Sequence, residues 1–354
     1  MKDEELYNVL IGNQKQNEQG ELIVILFEFC NLSCQACYQD HSSMAGVDSV
    51  QEKFDIIAHA LDVLKGRGKT SVAVNIMGGE LFADELPDTI FDDYTILVNR
   101  LRDYSEKINL PSKFSVPSNM IWTKKDRVKK FLNDAMVRLN ASYDPAGRFN
   151  PKTLSMFIDN VKEFKPYINQ IGIVMTRPSI KKFMNYSANH FDFLYENFEI
   201  NFDHYTHSQR ASVDPELLMP KDTELRDFYK FMIDHYPNCY PFCETMDSGS
   251  QPMFCMRTMY VFPDSTFGSC GSVEKLINPL SKIEDKKVIR IINTTDSPLE
   301  KTIEAKWYKE YDCLNCDHLQ RCSMSCFLNN HFYNTRTQEE CWLKEVYQYV
   351  DSKK

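Results

Sequence analysis

The stretch CNLSCQACYQ, residues 30–39, sets Cys30, Cys34 and Cys37 into eight positions directly after the apolar run LIVILFEF (22–29). A disulfide uses two thiols. A tetrahedral zinc site wants four ligands, and no further cysteine occurs until Cys239. The C-x3-C-x2-C spacing therefore presents an odd set of thiols at the end of a strand that its hydrophobicity predicts to be buried.

Outward from this stretch, strand-like and helical patterns alternate. Strands are predicted at 21–29, 71–77, 113–118, 136–143, 170–176 and 198–205, short runs rich in β-branched and aromatic residues. Between them, Phe54, Ile57, Ala58, Leu61 and Leu64 repeat at helical spacing within 50–65, with Asp48 or Ser49 expected as N-cap and Gly66 as C-cap. Segments 91–104 and 151–164 read the same way. Six strand–helix units imply a parallel α/β sheet, as an incomplete barrel or a doubly wound sheet. In either, chemistry gathers at the C-terminal strand ends. The cysteine loop and Met77–Leu81 (MGGEL) both follow strands, so they converge on one rim.

Length and composition narrow the class. A chain of 354 residues exceeds what one core usually fills, and 43% hydrophobic with 26% charged residues reads as globular. The net charge is −9 and no basic patch suits nucleic acid; Lys124, Lys125, Lys129 and Lys130 read as a solvated helix face. With no membrane-length apolar run and no signal sequence, a cytoplasmic location is expected. There, twelve cysteines point to metal or redox chemistry rather than disulfides. Nine of them fall between 239 and 341, separating a cysteine-rich C-terminal part from the barrel.

Three close thiolates suit an iron–sulfur cluster in which one iron keeps an open position for a chelating ligand. Here the sequence resembles the radical S-adenosylmethionine enzymes. The resemblance implies a [4Fe–4S] cluster on Cys30, Cys34 and Cys37, whose fourth iron chelates S-adenosylmethionine and cleaves it to a 5′-deoxyadenosyl radical. Gly78, Gly79 and Glu80 match the family's GGE, which approaches the cofactor's amino group. Ser118 and Asn119, and Ser142, Asp144 and Arg148, match looser segments near the ribose and carboxylate; Asp144–Gly147 also reads as a simple turn. The family's aromatic before the third cysteine is Ala36 here, leaving Tyr38 as the candidate for the adenine contact.

The C-terminal cysteines resemble the SPASM extension, bringing the resemblance to roughly residues 20–345. It implies two further [4Fe–4S] clusters, three in all. Cys255, Cys270 and Cys326 would serve the first, with Cys243 or Cys239 as candidate fourth ligand. Cys313, Cys316, Cys322 and Cys341 would serve the second. The usual glycine before Cys270 is Ser265, although Asp264 is retained. Read without the resemblance, C-x2-C pairs also suit zinc.

The resulting expectation is a partial (β/α)6 TIM-like barrel at 21–235 after an N-terminal segment (1–20), a SPASM domain at 239–345 and a tail at 346–354. The resemblance implies hydrogen abstraction from a ribosomally made peptide during its maturation, by crosslinking, oxidation or backbone rearrangement. It also implies an electron donor such as flavodoxin or ferredoxin. Only 29 residues precede Cys30, so a leader would bind the barrel directly or a separate partner protein. Relatives that mature sulfatases carry an acidic residue where this chain has Gly271, so that activity is not expected. The alternatives are radical dehydrogenation or epimerisation of a small molecule such as an amino sugar or amino acid, and a zinc-stabilised binding protein. His204, Tyr205 and Arg210 are candidates for substrate contact or proton transfer at the end of the sixth strand.

Overall fold

The computed structural model describes residues 18–37, 39, 41–185, 189–205, 213–246, 258–268, 306, 308–322, 336 and 339–354. Six strands occur where the pattern predicts them: β1 (Gln19–Ile25), β2 (Ser71–Met77), β3 (Ser112–Ser118), β4 (Arg138–Tyr143), β5 (Ile168–Met175) and β6 (Ile200–His204). They pair in parallel in sequence order. Two short strands extend the expected six, β7 (Thr258–Val261), parallel to β1, and β8 (Phe267–Gly268), antiparallel to β7. The sheet order is β6-β5-β4-β3-β2-β1-β7-β8, curled into a half-barrel.

Each strand divides its side chains between two environments, as the period of two requires. On β2, Val72, Val74 and Ile76 are buried on the helix side, whereas Ala73, Asn75 and Met77 are partly open on the inner face. The central β1 is buried on both faces: Leu22 and Val24 pack under the helices, and Ile23 and Ile25 pack against Met77, Tyr260 and Phe262.

The covering helices follow the strands. They are α1 (Phe54–Gly66), α2 (Thr89–Lys107), α3 (Lys125–Asp134), α4 (Pro151–Glu163), α5 (Arg177–Met184) and α6 (Asn189–Asn197). The start of α1 differs from the sequence reading. Two 3-10 turns, Val47–Ser49 and Gln51–Lys53, lead into it, so Lys53 rather than Asp48 or Ser49 stands at its N-cap. Gly66 is helical, and it is Gly68 that takes the left-handed conformation, at φ 76°. By contrast α4 has a full capping box, Asn150 Oδ1 accepting from Thr153 N and Thr153 Oγ1 from Asn150 N. Lys124, Lys125, Lys129 and Lys130 form surface ion pairs with Asp88, Glu163 and Asp134, a solvated face as read. No helix among the described residues is long and apolar enough to cross a membrane.

Four more α-helices are described: α7 (Pro215–Leu218), α8 (Asp222–His235), α9 (Phe242–Met246) and, near the C-terminus, α10 (Trp342–Asp351). Helix α10 buries Trp342, Leu343, Val346, Tyr347 and Val350 in the same core as the barrel helices. Trp342 packs edge-on to Tyr229 of α8, ring centroids 5.0 Å apart. In the β7–β8 turn Asp264 Oδ1 accepts from Thr266 N and Oγ1. Ser265 takes φ 65°, the left-handed conformation that a glycine would adopt without strain.

Replacing the fully buried Trp342 by Ala removes the anchor of α10. The expected cost is about 3–5 kcal/mol, read as a lower urea midpoint against the parent protein.

Candidate functional site

The cysteine loop leaves the C-terminal end of β1 and is closed by Cys30 N–H donating to His41 O and Cys37 N–H to Cys34 O. Leu32 N–H points at Cys30 Sγ (3.4 Å) and Gln39 N–H at Cys37 Sγ (3.5 Å). Burial, with Glu80 nearby, still pushes the Cys30 thiol up to about 12, and burial raises Cys37 as well. Such thiols ionise only when a cation is brought to them, which coordinated iron does. The donor set thus fits a cluster.

Gly78 and Gly79 are required by space. A Cβ on Gly79 would overlap the carbonyl oxygens of Glu28 and Phe29, and one on Gly78 would sit 2.8 Å from the Phe27 ring. This close approach lets Glu80 N–H donate to Phe29 O at 2.9 Å, laying the end of β2 against the start of the cysteine loop. The Glu80 side chain is buried. Its Oε1 accepts from Phe82 N (3.1 Å) and Ser118 Oγ (3.0 Å), and its Oε2 from Asn119 N (2.6 Å). Desolvation pushes this carboxyl up to about 7 despite the three donors. Glu80 thus joins the ends of β2 and β3, with its oxygens turned to the protein.

Asn119 carries the network back to β1. Its Nδ2 donates to Asn31 Oδ1 (2.8 Å) and lies 3.8 Å from Cys30 Sγ. Ser118 Oγ also accepts from Met120 N and from Trp122 Nε1, and Met120 is held at φ 60°. In the loop after β4, the partly buried Arg148 donates Nη1 to Ser142 O (2.8 Å) and Oγ (2.6 Å). Burial opposes its charge, but the neighbouring Cys34 and Asp144 outweigh that and raise its pKa. Its Nε has no hydrogen-bond partner, leaving a donor beside the cysteine loop. Asp144 Oδ1 accepts from Ala146 N and Ser179 Oγ, the behaviour of a turn residue.

Cys30, Cys34, Cys37, Gly78, Gly79, Glu80, Ser118, Asn119, Ser142 and Arg148 therefore meet at the C-terminal ends of β1–β4. Tyr38 and Arg210 lie outside the described residues, as do Cys255, Cys270 and Cys326. His204 turns away from the inner face: its Nε2 is 3.0 Å from Tyr229 Oη, its ring stacks on Tyr229, and burial lowers its pKa to about 4. Tyr205 is buried with Leu218 and Met219, and Ala36 and Val174 pack against them. The inner-face residue here is Asp203, which the sequence reading passed over; the only signal was its odd position between Phe202 and His204.

The second cysteine group is built from two 3-10 turns and the start of α10. Cys313 begins one turn (Cys313–Asn315), Cys322 follows the other (Leu319–Arg321), and Cys341 is the N-cap of α10. Desolvation raises the Cys313 thiol, and Cys322, Cys341 and Cys316 add to the shift, so the four sulfurs lie within electrostatic reach of one another. Cys243 N–H donates to Cys239 O, and Cys239 is buried beside it. Among the described residues no three His, Cys, Asp or Glu side chains form a group that could hold a single metal ion.

Glu80 also sets a pH dependence. Between about 4.5 and 7 its carboxyl stays protonated in the folded chain and ionises in the unfolded one, so the native state binds more protons and stability falls as pH rises through that window. In the metal-free protein Glu80→Gln is expected to reduce this slope in urea titrations. Glu80→Ala, which strands three buried donors, is expected to cost about 1–3 kcal/mol or more.

No protein-family profile matches the chain, and no curated protein matches it either. Its fold is nevertheless shared with solved structures. Native anSMEcpe with bound AdoMet superposes with a TM-score of 0.66 at 17% identity, covering 94% of this chain and 96% of that one. The same protein with bound AdoMet and the Kp18Cys peptide matches equally, with a TM-score of 0.66, 17% identity and the same coverage. Streptococcus suis SuiB bound to precursor peptide SuiA gives a TM-score of 0.54 at 17% identity, covering 93% of this chain and 75% of that one. This chain therefore shares the curled α/β half-barrel fold of those proteins.

Proposed function

We propose that this chain is a radical S-adenosylmethionine enzyme of the SPASM type that abstracts hydrogen from a peptide substrate. The observation that carries the reading is the meeting at one rim of the cysteine loop, Glu80 and Ser118–Asn119, joined by hydrogen bonds, with the Ser142–Arg148 pair beside Cys34. That AdoMet and peptides are bound by structures of the same fold supports it.

Cys30, Cys34 and Cys37 would hold a [4Fe–4S] cluster with one open iron, which when reduced supplies the electron that cleaves S-adenosylmethionine homolytically. The chain's part is to seat the cofactor. Gly78 and Gly79, lacking side chains, let the end of β2 close on Phe27–Phe29, so that the two loops that would flank the cofactor lie together. Arg148 offers its Nε donor to an anionic group such as the cofactor's carboxylate. Glu80 holds the Ser118–Asn119 turn in position, and Asn119 in turn orients Asn31 at the loop.

Cys313, Cys316, Cys322 and Cys341 would hold an auxiliary cluster. Ligands of a polynuclear cluster sit on different irons, whereas zinc ligands converge on one centre, and the metal content of the purified protein distinguishes the two. Cys255, Cys270 and Cys326 would hold the other. The barrel (21–235), the cysteine-rich part (239–345), an external electron donor and a cytoplasmic site of action belong to the same proposal.

The test is formation of 5′-deoxyadenosine. Anaerobically reconstituted protein given S-adenosylmethionine and dithionite is expected to release it, and Cys34→Ala is expected to release none. Iron near 12 per chain would accompany three clusters. Zinc in place of iron, with no product, would overturn the reading in favour of a zinc-stabilised binding protein.

A further inference from the structure

The inner face of the half-barrel has two unlike walls. On β1 and β7, Ile23 and Ile25 pack with Phe262, Met77 and Tyr260. Below them a polar chain crosses the sheet: Thr258 Oγ1 and Asn75 Nδ2 donate to the two oxygens of Glu21 (2.8 and 3.2 Å), and Ser115 Oγ and Asn140 Nδ2 donate to Asn75 Oδ1 (2.5 and 3.0 Å). Every acceptor in that chain is engaged.

The β6 wall differs. Ile200, Phe202 and His204 face the helices, so Asn201 and Asp203 face inward. Asn201 Nδ2 donates to Asp203 Oδ1 at 3.0 Å. Asn201 Oδ1 is buried with no hydrogen-bond partner, and no described residue donates to Asp203 Oδ2. Asp203 is exposed to the inner space; desolvation by the sheet beneath it, and Glu21 across the lumen, raise its pKa. No cation among the described residues offsets it. A buried amide oxygen that lacks a donor, beside a carboxylate oxygen left open to the lumen, makes an acceptor pair suited to a cationic donor.

There is room for that partner. Gly172 of β5 lies beside Asn201 and beside Ser142 of β4 in register, and a Cβ built on it meets only Ala141 O, at 3.9 Å. The gap therefore runs from the Ser142–Arg148 end of the cofactor rim to the Asn201–Asp203 acceptors, two strand spacings or about 10 Å away. Tyr205, directly after β6, is buried in the cluster against which Ala36 of the cysteine loop and Val174 of β5 pack.

We infer that Asn201 and Asp203 form a substrate anchor that takes a cationic, hydrogen-bond-donating side chain, lysine or arginine, of a peptide entering the half-barrel. The apolar stem of such a side chain suits the open space over Gly172, and its charged end meets Asp203 Oδ2 and Asn201 Oδ1. The anchor is a binding determinant, not a group that reacts. It rests on the proposed function for its peptide substrate, but its chemistry is read from these acceptors alone.

The test uses anaerobically reconstituted, S-adenosylmethionine-loaded protein and blocked tripeptides, acetyl-Gly-X-Gly-amide with X lysine, arginine or norleucine, titrated calorimetrically. The parent protein is expected to bind the lysine or arginine probe about tenfold or more tighter than the norleucine probe. Asp203→Asn, close in shape and lacking the charge, is expected to abolish that preference while its thermal midpoint is unchanged or higher. Equal binding of the probes by the parent protein, a preference that survives in Asp203→Asn, or no binding of either cationic probe would overturn the anchor. 5′-Deoxyadenosine measured in parallel samples given dithionite reports separately on the radical reading: product without a cationic preference removes only the anchor, and a preference without product removes only the radical chemistry.

Discussion

The rim of this protein hangs on one buried carboxylate. Glu80 arrives from β2, and its three donors come from its own turn and from the end of β3. Because ionising it in that setting is costly and leaving those donors unpaired is costly too, the loops are held where all three bonds can form. Ser118 and Asn119 then pass the constraint onward: the serine hydroxyl reaches the Trp122 indole, and the asparagine amide reaches Asn31 and the neighbourhood of Cys30. The left-handed Met120 belongs to the same arrangement, since its N–H and C=O are both engaged, to Ser118 Oγ and from Asn160 Nδ2.

Around that rim the sheet separates dry from wet. The helix side is a continuous aromatic and aliphatic core that runs from Phe27 and Tyr94 through Phe131 and Trp122 to Phe202, Tyr229 and Trp342. The inner side mixes a small apolar group at β1 and β7 with a polar lining that grows toward β6. The curl of the sheet makes these one space: Glu21 and Asp203 stand on strands separated by four others in the sheet order, yet they affect one another electrostatically.

Much of this was legible in the chain. The six principal strands and the helices α1, α2 and α4 follow from hydrophobic period, which reflects only which side of an element meets the core. The spacing of Cys30, Cys34 and Cys37, and the glycines of 78–79, pointed to one rim for the same local reason. Less legible were features that depend on partners far along the chain. Asp48 and Ser49 looked like caps, but the 3-10 turns that fill the space below α1 moved its start to Phe54. His204 read as a residue of the strand end facing the cavity; α8 and α10, which arrive later in sequence, cover it instead. Asp203 gave no motif to notice, and its importance comes from strand parity and from what the opposite wall lacks.

The sequence by itself determined the alternating α/β order, the placement of the cysteine and glycine motifs at strand ends, and the composition of the core, because these depend on nearest-neighbour periodicity and local backbone preference. Tertiary structure alone decided that Glu80 turns its carboxylate into the protein, that β7 returns to pair with β1, and that α10 seals the barrel core. It also decided that Asn201 and Asp203 face a lumen without a compensating charge among the described residues. Those outcomes depend on which distant groups meet after the sheet curls, and burial, hydrogen-bond satisfaction and charge balance exist only once they have met.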